Sequence, residues 1–343
     1  MHRQPIKKKG TNPTVTMRSI LVQLIPVLIF LGPLMILSGL FYYLNSRRRD
    51  RRSPLTRDLL RGPGHSLLKQ IEDLNLRIDC HATILATMPL FLYASYLTRS
   101  HFGVAVQGDN MGIICGLIWF IFTLHYGKRL RRLLKERQAY RLGLDCELAV
   151  GQELNNLMGA GYRVYHDVPG KGFNINHVVV GRNGVFAVET KGRSKPVKGD
   201  VTVVYNGRTL KFPNRIETDY LDQAKRQAQW LSRRLSEITG KTIPVQPVLV
   251  IPGWYVDRIR RGDVLVLNGK KDTEFITTQW THTALSRDLI QRIGDVLEGA
   301  CQDVEPMAYK SSQGNGEDSP QPQARKTFAR VTPIRPIDRL STH

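Results

Sequence analysis

Between Asn174 and Lys191 the chain reads NINHVVVGRNGVFAVETK, and near the end of that stretch a carboxylate, Glu189, and an ammonium, Lys191, stand two residues apart. Two runs of β-forming residues flank Arg182-Asn183-Gly184, which is the pattern of a hairpin. If the turn is built on Arg182-Asn183, Asn176 lies opposite Glu189; if it is built on Asn183-Gly184, Asn176 lies opposite Lys191. In either register the period-two alternation of a strand puts Asn176, Glu189 and Lys191 on one face, and Val188 and Thr190 on the other. This set suits phosphodiester hydrolysis. The carboxylate holds a hard divalent cation, while the lysine orients or deprotonates the attacking water and offsets charge on the phosphate. A Glu-x-Lys by itself is more often a solvated polar face, so its surroundings decide. His177 projects away from Asn176 and is expected to be a satisfied core or interface histidine.

The elements around this segment predict one α/β layer domain. A helical stripe of Leu144, Leu148, Gly151, Leu154 and Met158 leads into it. Strands follow at Tyr162–Val168, Ile175–Val180 and Val185–Thr190, then a pair around Asn206-Gly207. Leu221, Ala224, Ala228, Leu231, Leu235 and Ile238 recur at steps of three and four, so a helix with one buried face runs to Gly240. Val245–Ile251 and Val264–Leu267 read as buried strands, and a last helix is expected over 283–297. Gln223 and Gln227 share one face of the middle helix. Trp254 and Tyr255 follow Pro252-Gly253, where an aromatic plug over the sheet edge is expected before base stacking.

Taken together, Gly143 with Glu147 on the leading helix, NINHVVVGRNGVFAVETK on the hairpin and Gln223-Ala224 on the later helix resemble the nuclease-related domain family, a branch of the PD-(D/E)xK nuclease superfamily. The resemblance covers roughly residues 137 to 270. It implies an α/β fold with a PD-(D/E)xK-like mixed sheet flanked by helices, and a Mg²⁺- or Mn²⁺-dependent phosphodiesterase acting on nucleic acid. By this resemblance Glu147 is the helix acid, Glu189 and the residue at 176 hold the metal, Lys191 is the base or phosphate-stabilising group, and Gln223 is an auxiliary polar residue. The family pattern expects Asp where this chain has Asn176. An amide offers a carbonyl oxygen but no charge, which weakens a site that depends on carboxylates. Asp167, on the preceding strand, is a candidate to compensate.

The chain has 343 residues and a formal net charge of +21. Residues 1–135 hold 20 Lys/Arg against 6 Asp/Glu, whereas residues 142–305 hold 22 against 19, so the expected folded domain is nearly neutral. The basic runs at 47–52 and 128–132 flank apolar stretches, as cytoplasmic ends of membrane helices do. An all-α transmembrane region is therefore expected over 1–127, with spans near 19–44, 80–98 and 110–127. The first of these either crosses the layer or re-enters it. The 99–109 tip carries one basic residue, which places it outside and everything after Lys128 in the cytoplasm. The amphipathic stretch around Leu67, Leu68, Ile71 and Leu74 is expected on a membrane face or a partner. Residues 128–305 are then the α/β domain, and the Gly/Pro-rich segment 306–343 a disordered tail. Cys80, Cys115, Cys146 and Cys301 are too scattered for a zinc site or a disulfide framework.

Three functions compete on these grounds: a membrane-anchored nuclease, a catalytically impaired nucleic-acid-binding or scaffold module that keeps the fold, and a membrane assembly component. Asn176 separates the first two.

Overall fold

The computed structural model describes residues 32–33, 35–43, 55, 57–101, 111–270, 274–278 and 284–305. The rest of the first apolar run, residues 102–109 of the hairpin tip and the expected tail at 306–343 lie outside them. The chain divides into two compact units, one of residues 1–52 and 74–136, the other of residues 53–73 and 137–343.

In the first unit the described residues are helical: 35–43, then most of α1 (His65–His101) and the beginning of α2 (Met111–Asn155). His65–Leu97 and Gly112–Ala160 each contain a window long and apolar enough to cross a membrane, and neither window is buried by protein. The uncharged part of α2 ends at Lys128, and its last turns belong to the second unit.

The second unit is built on a mixed five-stranded sheet in the order β10-β8-β4-β3-β2. Its strands are β2 (Arg163–Pro169), β3 (Asn174–Gly181), β4 (Gly184–Thr190), β8 (Val245–Val250) and β10 (Leu265–Leu267). β2, β3 and β4 are antiparallel neighbours; β8 joins β4, and β10 joins β8, in parallel. One face packs Val178, Val180, Val185 and Ala187 against α3 (Asp219–Thr239) and, after a single-turn α4 (Phe275–Thr278), α5 (Arg287–Cys301). The other packs Val179, Phe186 and Val188 against Val150 and Leu154 of α2. β4 is buried along its whole length, as expected of a central strand covered on both faces.

A second sheet, in the order β7-β6-β5-β9, was not expected as a separate layer. Its strands are β5 (Thr202–Tyr205), β6 (Leu210–Phe212), β7 (Arg215–Glu217) and β9 (Tyr255–Arg258). The last two are too short to show a period in sequence. Val203, Tyr205, Leu210 and Phe212 pack on Leu221 and Ala224 of α3. Trp254 is the plug: it is buried, stands edge-on to Phe212, and donates from Nε1 to the Arg193 carbonyl. Tyr255 is exposed.

The unit is completed by the segment that precedes and opens α1. β1 (Leu59–Leu60) pairs antiparallel with β11 (Gln302–Val304), and the Arg61 N–H donates to the Cys301 carbonyl. The Arg61 guanidinium binds Asp303 at 2.6 Å and Asp167 at 3.3 Å. Pro63 lies against Gly151 of α2, where a Cβ would collide with its ring. The segment just before the amphipathic stretch thus supplies a strap to the α/β unit from Leu59 to Ser66.

Asp167 is buried, and removal of its cationic partner leaves a charge that water cannot reach. Arg61→Ala is expected to cost about 3–5 kcal/mol, seen as a lowered midpoint of thermal unfolding. Pairing it with Asp167→Asn should recover part of the loss; a double variant no more stable than the single one would show that Arg61 acts through Asp303 or β1 alone.

Candidate metal and phosphodiester site

The β3–β4 hairpin turns on Arg182-Asn183, with Gly181 paired to Gly184 and His177 to Val188. One step further in this register, Asn176 stands opposite Glu189. Between the His166–His177 and Val168–Ile175 pairs of β2 and β3, Asp167 stands opposite Asn176. Asp167, Asn176 and Glu189 therefore form a row across three strands. The turn is held from outside: Asn183 donates to the Ile276 carbonyl at 2.6 Å, and Leu285 N–H donates to the Arg182 carbonyl.

Glu189 is buried, and its Oε1 accepts from Lys191 Nζ at 2.7 Å and from Gln223 Nε2 at 2.7 Å. The Gln223 Oε1 accepts from the same ammonium at 2.8 Å. Gln223 thus closes a ring that fixes both the carboxylate and the ammonium. Lys191 Nζ also lies 5.4 Å from the centre of the Tyr220 ring. The other oxygen of Glu189, Oε2, is buried without a hydrogen-bond partner.

Asn176 joins the hairpin to the helix acid. Its Nδ2 donates to Glu147 Oε1 at 2.6 Å, and its Oδ1 accepts the Thr190 N–H at 2.9 Å. Glu147 is buried in α2. Burial, with repulsion from Glu189 and then Asp167, outweighs attraction to Lys191 and pushes its carboxyl up to about 8. Gly64 of the strap lies beside it, where a Cβ would strike Leu144 and approach Glu147 Oε2. The five sequence-predicted residues therefore form two linked clusters, Glu147 with Asn176 and Glu189 with Lys191 and Gln223.

The remaining candidates are placed elsewhere. Asp167 has φ near +50°, a left-handed conformation uncommon for a residue with a side chain. It accepts from Ser66 N and Oγ, Arg61 Nη1 and Asn174 Nδ2. Its carboxylate is committed to the strap and does not take the place of the charge lacking at Asn176. Gln227 is buried and donates to the Asn174 carbonyl, steadying the start of β3. His177 is fully buried with its Nδ1 2.9 Å from His166 Nδ1, and His166 Nε2 contacts Asn155 Oδ1 at 3.0 Å. Burial holds both rings below the usual histidine range, His166 to about 4, so they form a neutral core pair. Arg61, Ser66 and Gly64 were not found from sequence. Gly62-Pro63-Gly64 marks a loop, but nothing in it shows what the loop contacts.

The nuclease-related domain family model matches residues 142–252. This stretch is a nuclease-related domain. The match spans Glu147, Asn176, Glu189, Lys191 and Gln223, whereas the strap and α5 lie outside it. Neither a curated protein nor a solved structure matches the chain.

The donor set can be judged from its own chemistry. Among the described residues there is no group of three or more His, Cys, Asp or Glu able to hold a metal. The nuclease-related domain instead offers two buried carboxylates and one amide, with a single ammonium to balance them. The orphaned Glu189 Oε2 and the raised Glu147 carboxyl both signal missing positive charge. A hard divalent cation fits that deficit.

The Glu147 shift sets a pH dependence in metal-free protein. Its folded value, about 8, exceeds its ordinary value of 4.5, so its contribution is fully present below about pH 4.5 and is lost as pH rises through about 8. Within that window the loss approaches about 1.4 kcal/mol per pH unit. Thermal unfolding in EDTA should show this slope in the parent and a flatter profile in Glu147→Gln. Parallel profiles would mean that Glu147 is ionised throughout.

Proposed function

We propose that the chain is a membrane-anchored phosphodiesterase that uses Mg²⁺ or Mn²⁺ to cleave nucleic acid, with its nuclease-related domain on the cytoplasmic side. The observation that carries this reading is the Glu189–Lys191–Gln223 ring beside the Asn176–Glu147 pair. Acid, base and amide come from neighbouring strands and two helices, at the end of a sheet whose other inward positions are filled by apolar side chains. Glu189 and Asn176 would hold the cation, with Glu147 adding the second carboxylate. When bound, such an ion polarises the phosphate and lowers the pKa of water. Lys191 is the residue placed to take a proton from water or to meet the phosphate, and Gln223 keeps its ammonium beside Glu189. The membrane part of the proposal rests on the two apolar helices and on the excess of Lys/Arg flanking them.

A second reading has its own support. Both ends of the Asn176 amide are already hydrogen-bonded within the protein, and the Lys191 ammonium is held by Glu189 and Gln223. The same arrangement suits a domain that keeps the nuclease fold and binds nucleic acid, or serves as a scaffold of a membrane assembly, with little turnover.

The full-length chain in detergent, tested with Mn²⁺ on DNA and RNA, separates these readings. Lys191→Ala should reduce cleavage by about 10²–10⁴-fold, the usual worth of a positioned general base. Asn176→Asp should increase cleavage and enlarge the Mn²⁺-dependent rise in unfolding temperature. An inert parent rescued by Asn176→Asp would favour the second reading. If none of the three cuts either polymer, the hydrolytic proposal fails.

A further inference from the structure

A second feature of the unit has no part in the metal site. β5 and β9 run in parallel, with Tyr205 beside Arg258, so the chain leaves both strands at the same edge of the second sheet. β5 enters the turn at 206–209 and β9 enters the connection at 259–264. Between these two segments and Lys225 of α3 lies a cleft of about 920 Å³.

The cleft is rigidly built. Tyr205 is buried, and its hydroxyl reaches the carbonyls of Val264 at 3.0 Å and Gly207 at 3.3 Å, tying the two segments together. Gly262 lies so close that a Cβ there would overlap the Tyr205 hydroxyl and the Gly207 carbonyl. Gly207 has φ near +89°, and a side chain there would press on the Arg261 carbonyl. The Asn206 side chain accepts from Arg208 N–H at 3.0 Å and Thr209 N–H at 2.8 Å, which fixes the turn. A side chain larger than hydrogen is excluded where the two loops touch.

The charge around this cleft is one-sided. Arg208, Arg260, Arg261 and Lys225 line it, with Asp263 as the acidic lining residue. Asp263 is taken by Lys225 at 2.9 Å. Among the described residues no carboxylate pairs with Arg208, Arg260 or Arg261. Three guanidinium groups gathered on a braced concave surface raise the local potential and attract a polyanion. The cleft also continues: a second cavity of about 620 Å³ shares Lys225 and Asp263 and runs along α3 past Gln229, Ser232 and Arg233. An elongated track with cations at both ends suits a chain of phosphates better than a single one. Lys225 lies two residues beyond Gln223, so the track and the metal site occupy different faces of the same helical turns.

We infer that this cleft is a docking track for the phosphodiester backbone of a nucleic acid, separate from the metal site and engaged by Arg208, Arg260 and Arg261. The identity of the polymer rests on the function proposed above; the anion-binding character rests on the cleft alone.

The test uses the full-length chain in detergent with EDTA, and follows the anisotropy of labelled single-stranded DNA and RNA across a salt series. The triple variant Arg208→Ala, Arg260→Ala, Arg261→Ala should weaken binding about tenfold or more and reduce the salt slope by roughly one unit per arginine removed. The corresponding triple lysine variant should retain the slope. Unchanged affinity and slope in the triple alanine variant would overturn the track, even if Lys191→Ala abolishes cleavage and so upholds the nuclease. A parent that binds through the arginines but cuts nothing with Mn²⁺ would uphold the track and reject the hydrolytic reading. A parent that binds neither oligonucleotide would overturn the track.

Discussion

Two buried carboxylates, Glu147 and Glu189, share a single ammonium, Lys191, and the rest of the site is arranged around that imbalance. Burying an unpaired carboxylate is costly, and a protein either pairs it, protonates it or gives it a metal. This chain shows the first two responses in part. Glu189 is paired through one oxygen and orphaned at the other, while Glu147 is held toward its protonated form. Asn176, which donates to Glu147, lowers the repulsion that an Asp at the same position would add.

The strap places a further demand on the domain. Asp167 occupies the strand position opposite Asn176, where its charge could in principle serve the site. Arg61 and Ser66 draw it outward instead, and its left-handed backbone turns with it. Glu147 still experiences that charge from a distance. Because α1 begins at His65, one residue before Ser66, the start of α1 is hydrogen-bonded to the sheet beside the Asn176–Glu147 pair.

The second unit also divides its charge between two places. The cluster around Glu147 and Glu189 is rich in carboxylates and holds one lysine, whereas the cleft beyond α3 collects arginines around one acid. A near-neutral total for residues 142–305 conceals this separation. Net charge summed along a chain reports solubility and general attraction, but the field that a ligand meets depends on which charges share a surface.

Much of the site was legible in the sequence because strand alternation is local. Asn176, Glu189 and Lys191 share a face in any hairpin with an even-numbered loop, and the helix bearing Gln223 follows from its apolar stripe. The composition and apolar length of α1 and α2 were likewise readable without coordinates. Tertiary structure alone decided between the two hairpin registers, through the contacts of Asn183 and Arg182 with residues 276 and 285. It alone sent Asp167 to Arg61, 106 residues away, and split the strands into two sheets. Those outcomes depend on which groups meet after the chain has closed long loops. Periodicity, which compares each residue only with near neighbours, carries no record of such meetings.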